Sequence, residues 1–353
     1  MFHLRSFHTR TIYTLLLFTL IALNGGSAAL AKGGGDPPAK KSVPTGLGGF
    51  YDYQTVGASP LLIATNPANP LHLHAIYTQS FDSLNVQGSR RVGYAYSLDG
   101  GLSWQQISSL GSGGDEGFPS LSLLPNGAAA VACGAGVPAQ TKIFLDAGEG
   151  ARQFSPLSTA PTGSDDPLMP MLAAMTTSNL QVIASRPASR SVHIATLDYL
   201  TFGSVLASAA ESASLLAKPQ RLTSTPIPWG QSLTDPDGDI LTGDCHTIAR
   251  SADGHKVALV HRGSMAAEGA SVRYAESVDS GKTFGAFQNI MPFPFVVGAD
   301  SVAARGGLDA AYNGDELQIV FGAAKFTSGI YAEQQASIYH WSAANGLKKM
   351  IDA

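Results

Sequence analysis

Ser97–Trp104 reads SLDGGLSW, and Ser277–Phe284 reads SVDSGKTF. Both fit S-x-D-x-G-x-[ST]-[WF], and each follows a strand-length run, RVGYAYS (91–97) or SVRYAES (271–277). Local chemistry explains the pattern. Asp99 and Asp279 can accept backbone N–H groups inside a turn, and Ser97, Ser277, Ser103 and Thr283 can add side-chain bonds to it. Gly101 and Gly281 can take positive φ where the chain reverses. Trp104 and Phe284 can then drop back to anchor the next strand.

Working outward, short β-branched or aromatic runs alternate with clusters of Gly, Asn, Asp and Ser. LHLHAIYT (71–78), KVALVHR (256–262) and ELQIVFG (316–322) are further examples. They recur in a fixed order. A small-residue or Pro-led strand comes first (ASPLLIAT 58–65, FPSLSLL 118–124, MPMLAAM 169–175, HTIARSA 246–252). A second strand follows, and then a third that runs into a turn. The turn aspartates Asp99, Asp146, Asp198 and Asp279 lie 47, 52 and 81 residues apart. A four-stranded propeller blade takes about 40–50 residues, so the first two intervals fit one. The third interval holds SVLASAAESASLLA (204–217), the clearest helical pattern, and an acidic loop. The expectation is an all-β fold, a β-propeller of five or six four-stranded blades. The last strand-turn motif ends close to Ala353, so the last blade is expected either to be completed by an N-terminal strand or to be truncated.

The paired turns resemble the Asp-box, or BNR repeat, of sialidases and other secreted propellers. DAGEGARQF (146–154) and LDYLTF (197–202) are degraded copies. The resemblance implies a sialidase-like propeller in which Ser97, Asp99, Gly101, Trp104, Ser277, Asp279, Gly281 and Phe284 are structural, on the rim and away from the active site. It also implies a sialic-acid site of three arginines, a Tyr–Glu nucleophile pair and an acid/base Asp. The first arginine would precede the Pro-led strand at Ala58-Ser59-Pro60, where Ala58 has no guanidinium. Asp82 falls where the acid/base Asp would be. Arg262 and Arg305 match later arginines by order, and Tyr312 and Glu316 could stand for the Tyr–Glu pair.

The ends set the compartment. Arg5 and Arg10, an apolar run Thr11–Leu23 and Ala29-Leu30-Ala31 form a signal-peptide pattern cleaved after Ala31. The apolar run is short for a membrane span, and an uncleaved anchor is the alternative. The expected domains are a signal peptide (1–31), a flexible Gly/Pro/Lys-rich tether (32–49) and the propeller (50–353). The mature chain is then secreted or periplasmic, with no membrane span. A net charge of −4 and no recurring basic patch argue against a nucleic-acid partner. The two cysteines, Cys133 and Cys245, permit one disulfide or two separate thiols.

Other chemistry is sparse. DPDGDILTGDC (235–245) places Asp235, Asp237 and Asp239 at alternate positions, with Asp244 beyond. Such carboxylates gather oxygen ligands for Ca²⁺, but Ile240 and His246 break the EF-hand pattern, and an ordinary Asp/Gly turn fits too. Trp229 lies just upstream. His72 and His74 share a strand face, while His246, His255 and His261 have no metal spacing. With Ala58 in the first arginine position, the expected function is a non-catalytic extracellular module that binds a glycan or protein. The alternative is an exo-α-sialidase-type glycoside hydrolase.

Overall fold

The computed structural model describes residues 43–50, 61–111, 115–135, 140–158, 168–174, 179–186, 191–198, 231–234, 246–262, 271–292, 295–298, 300–327 and 330–352. Among these residues every regular element is a strand. Blade 1 is β1 (Ile63–Asn66), β2 (Asn69–Ser80), β3 (Arg90–Ser97) and β4 (Gln105–Ile107). Blade 2 is β5 (Glu116–Leu123), β6 (Ala129–Ala135), β7 (Gln140–Asp146) and β8 (Phe154–Ser158). Blade 3 is β9 (Leu168–Ala174), β10 (Asn179–Arg186), β11 (Ser191–Asp198) and β12 (Gln231–Thr234). Blade 4 is β13 (His246–Arg250), β14 (Val257–Arg262), β15 (Val272–Ser277) and β16 (Gln288–Met291). Blade 5 is β17 (Phe295–Val297), β18 (Asp300–Asn313), β19 (Glu316–Thr327), β20 (Ile330–Ser342) and β21 (Gly346–Asp352).

Each sheet is an antiparallel meander in chain order, the topology of a β-propeller. The first strands of successive blades touch one another, β1 to β5, β5 to β9, β9 to β13 and β13 to β18, which places them around the ring axis. β17 is a short extra strand that pairs with β18 only over Asp300–Val302. Beyond that point β18 is the innermost strand of blade 5. Among the described residues, blade 5 comes from one continuous stretch of chain; residues 1–42 and 51–60, where a closing N-terminal strand is expected, lie outside them. Val43–Phe50 meets blade 1, where the Phe50 amide donates to the Ser80 carbonyl at 2.8 Å.

A blade is apolar on both faces and must be covered on both. The cores accordingly lie between consecutive blades. Val92 and Tyr94 of blade 1 meet Val131 and Phe144 of blade 2. Ile143 of blade 2 meets Leu172 and Val182 of blade 3. Met171 and Ile183 of blade 3 meet Ile248 and Leu259 of blade 4. Val260 and Val272 of blade 4 meet Leu308, Ile319 and Phe321 of blade 5. Each fully buried side chain of this size contributes about 1.5–3 kcal/mol, so these four seams supply the stability that cysteine crosslinks do not.

The recurring turns have the expected local bonding. Ser97 Oγ donates to Asp99 Oδ1 at 2.8 Å, and the Ser103 amide and hydroxyl donate to the same carboxylate at 2.8 and 2.6 Å. In blade 4, Ser277 Oγ donates to Asp279 at 2.7 Å, and the Thr283 amide and hydroxyl donate at 2.9 and 2.7 Å. Gly101 and Gly281 have φ of 89° and 77°. Phe284 packs against the seam between blades 3 and 4. The residue before each glycine is also left-handed, Gly100 at 71° and Ser280 at 61°. Hydrogen bonds from these donors hold the Asp99 carboxyl at about 2 and push Asp279 below the usual carboxylate range. The predicted helix at 204–217, Asp198's turn, Ala58, Trp229 and Cys245 lie outside the described residues. Cys133 is a buried free thiol, and burial pushes its pKa up.

Candidate functional site

The strand meander gives the ring two faces. Turns between strands 1 and 2 and between strands 3 and 4 share the face that carries Asp99 and Asp279. The inner strands begin at the other face, here called the mouth. Arg262, the last residue of β14, and the first half of β18 lie toward the mouth.

β18 is interrupted near the mouth. Its pairing with β19 steps from Ala304↔Ala323 to Leu308↔Phe321, so Arg305, Gly306 and Gly307 bulge opposite Gly322. Gly322 makes room for this bulge, because a Cβ there would collide with the Arg305 carbonyl. Gly306 takes φ 89°. Bulges re-aim side chains and are frequent beside active sites. Arg262 reaches the bulge from blade 4, where its Nη1 donates to the Gly306 carbonyl at 3.0 Å. The two arginines suggested by order alone are therefore brought to one place: Arg262 is anchored on the residue that follows Arg305.

Asp309 follows the bulge. Leu308 and Ala310 pack into the seam with blade 4. Because side chains alternate along a strand, Asp309 points to the opposite side of β18. It is half-buried, and burial pushes its carboxyl up to about 7. The amide of Ala310 donates to its Oδ1 at 2.8 Å and offsets part of that effect. A carboxylic acid poised near neutral pH on an inner strand can deliver a proton.

The inner strand of blade 2 also begins irregularly. Asp115 and Phe118 take φ of 62° and 53°, and the pairing of β5 with β6 shifts between Gly117 and Ser120. Glu116 lies between them, fully buried, with Lys142 Nζ at 3.0 Å from its Oε1 and no hydrogen-bond partner on Oε2. Arg90 pairs with Asp115 and lies 5.5 Å over the Phe118 ring. Strain of this kind clusters at functional sites. Glu116 itself is closed off from solvent, so it supports the mouth rather than contacting a ligand.

The remaining candidates separate. Asp82 is exposed in the loop after β2, where its Oδ1 accepts the Leu84 amide at 2.8 Å, as an ordinary turn residue does. Tyr312 does pair with a glutamate, but with Glu276 of blade 4 at 2.7 Å and not with Glu316. Glu316 accepts the Ala344 amide at 3.0 Å. Both tyrosine and glutamates lie toward the turn face, away from Arg262. Asp235, Asp237, Asp239 and Asp244 lie outside the described residues, and among the described residues no three acidic, His or Cys side chains group as metal ligands. His72 and His74 do share a face. His72 Nδ1 meets Glu149 Oε1 and His74 Nδ1 meets the Tyr94 hydroxyl, each at 2.7 Å. No described helix is long and apolar enough to cross a membrane.

The chain matches no family model and no curated protein. Solved structures do match. An α-L-arabinofuranosidase from Fusarium graminearum is 12% identical over 85% of each chain, with a TM-score of 0.48. The catalytic domain of a Coprinopsis cinerea α-L-arabinofuranosidase is 10% identical over 87% of this chain and 95% of its own, with a TM-score of 0.44. An exo-β-1,3-galactanase from Phanerochaete chrysosporium is 10% identical over 85% of this chain, with a TM-score of 0.44, and this chain spans 63% of its length. At such identities the likeness concerns the fold. The expectation of a non-catalytic binding or scaffold module is corrected on this finding, since the matching propellers are glycoside hydrolases.

Proposed function

We propose that the chain is a glycoside hydrolase whose substrate enters at the mouth, with Asp309 as the proton donor to the leaving oxygen. The observation that carries this is the position of Asp309: on the innermost strand of blade 5, just past the bulge, where burial pushes its carboxyl up to about 7. A glycosidic bond breaks when its bridging oxygen is protonated as positive charge develops on the sugar ring. An acid with a pKa near the working pH does this best.

The finer reading is an acidic sugar at the non-reducing end, as in an exo-α-sialidase. Arg262, held on Gly306, and Arg305 on the adjoining bulge supply planar guanidinium forks suited to a carboxylate. Ala58 adds no third arginine, so the carboxylate is held from blades 4 and 5. The resemblance of Ser97–Trp104 and Ser277–Phe284 to Asp-box turns supports the same assignment.

The test is turnover of a panel of fluorogenic aryl glycosides, sialoside included, by the mature chain. Wild type hydrolyses at least one substrate, and Asp309→Asn loses about 100-fold or more in kcat, the usual contribution of a general acid. Arg262→Met raises KM for the sialoside above all others. No turnover of any glycoside by the wild type, or full activity in Asp309→Asn, overturns the assignment.

A further inference from the structure

On the turn face, far along the same strands from Arg262, an open cleft of about 480 Å³ lies between blades 4 and 5. Lys256, Tyr274, Glu276, Asn313, Glu316 and Trp341 contribute to its walls. Tyr274 and Trp341 are in contact, with ring centroids 5.1 Å apart and planes inclined at 45°. Trp341 is half-buried, so part of the indole remains open.

The polar groups of the cleft are held in place by bonds that leave capacity for a ligand. The Tyr312 hydroxyl fixes Glu276 through Oε1 at 2.7 Å. The Ala344 amide fixes Glu316 through Oε1 at 3.0 Å. Lys256 Nζ rests on the Asp315 carbonyl at 2.9 Å, which uses one of its three donors. Tyr274 is buried, and its hydroxyl donates to Gln288 Oε1 at 2.8 Å. None of these groups belongs to the mouth.

We propose that this cleft is a second, non-catalytic binding site for a neutral sugar residue. Glu276, Asp315 and Glu316 in the lining repel an anionic sugar. A bare cation would leave the Lys256 and Asn313 donors unmet, so the mixture of acceptors and donors selects a polyhydroxylated ring. A neutral sugar ring presents what the lining asks for. Its hydroxyls donate to the two carboxylates and accept from Lys256 and the Asn313 amide, and its C–H face stacks on Trp341. The volume suits one ring and part of a second. A chain that cuts glycans at one face would then hold neutral stretches of the same or a neighbouring glycan at the other. The cleft stands independently of the hydrolase assignment, because its evidence is confined to this face.

The test is saturation-transfer NMR and calorimetry on the mature chain. The probes are neutral trisaccharides of glucose, of galactose and of N-acetylglucosamine, with sialyllactose and tetramethylammonium as charged comparisons. At least one neutral trisaccharide binds saturably, and Trp341→Ala weakens it about tenfold through loss of the stacking partner. Because Trp341 also packs on Tyr274, Glu316→Gln and Lys256→Met provide a second measure without emptying the seam, and each weakens binding several-fold. Asp309→Asn binds as wild type does. The proposal fails if no neutral trisaccharide binds. It also fails if binding survives the Trp341, Glu316 and Lys256 changes, if a charged probe binds in preference, or if only the Asp309 change abolishes binding.

Discussion

Gln181 Nε2, on the second strand of blade 3, donates to the carbonyl of Gly281 in the turn of blade 4 at 3.1 Å. The recurring turn therefore closes its own hairpin and also clasps the neighbouring blade. The two full copies differ in this respect. A Cβ on Gly281 would collide with the buried amide of Gln181, whereas one on Gly101 would meet Leu73 at 3.4 Å and Trp104 at 3.5 Å, ordinary contact. Both positions have positive φ, which costs an L-residue about 1–2 kcal/mol. Gly101→Ala is expected to lose about 1 kcal/mol, and Gly281→Ala about 3 kcal/mol, because it also displaces a buried hydrogen bond. Urea unfolding of the two variants measures the difference, and equal losses would show that the clasp contributes nothing.

At the mouth, Lys142 answers the buried charge of Glu116 in blade 2. Glu116 has no exposed surface, and its Oε1 meets Lys142 Nζ at 3.0 Å. Removing one member of such a pair strands the other. Lys142→Met is expected to cost about 3 kcal/mol or more. Adding Glu116→Gln should recover most of that, since two neutral side chains leave no buried charge. A double mutant no more stable than Lys142→Met would mean that the lysine acts through packing of its stem.

The sequence pattern carried the blade order because each blade repeats a local programme: apolar strand, turn, strand, strand, bonded Asp turn. RVGYAYS and SVRYAES end on the serine that begins the turn, and β3 and β15 end there too. What was not legible depends on pairing between distant segments. Nothing local to Tyr312 says that its partner is Glu276, 36 residues earlier and on another blade. β17 is three residues long and is defined only by β18 beside it. The bulge at Arg305–Gly307 shows in the sequence only as a Gly-Gly pair, and its necessary complement, Gly322, lies in another strand. Asp309 had a faint signal, a single acid in the apolar run GLDAAY, but its raised pKa comes from burial that only the assembled ring creates.

His74 sets the behaviour of blade 1 in mild acid. It is fully buried, and burial holds its pKa at about 4, with the charge of Glu149 opposing and that of His72 adding. Its folded pKa lies below the unfolded value of 6.5. The unfolded chain therefore takes up the proton first, and stability is full above pH 6.5 and declines down to pH 4. The decline amounts to about 3 kcal/mol for this group alone. Asp99 and Asp279 act in a separate window. Their lowered pKa values keep their contribution intact until the pH falls below about 4, the unfolded carboxylate range. Urea midpoints of wild type and His74→Phe between pH 7.5 and 4.5 test the assignment. The variant should show a shallower decline, and parallel curves would exclude His74 as the source.

Asp309 has the opposite sign and links stability to activity. Its folded pKa of about 7 lies above the ordinary carboxyl value of 3.8. Its contribution is therefore fully present below the unfolded pKa and is lost as pH rises through 7, where the folded protein must bear a charge in an enclosed place. Asp309→Asn keeps the shape without that charge. The variant should match wild type in stability near pH 4 and exceed it at pH 8, with the gap opening between. The same ionisation should govern catalysis: kcat for a glycoside substrate falls on the alkaline side with an apparent pKa near 7, and the residual activity of Asp309→Asn loses that limb. Groups built to act are often destabilising where they sit, and a variant gaining stability while losing turnover is the signature expected here. If Asp309→Asn instead loses stability at pH 8, the carboxylate is paired and structural, and it is not the proton donor.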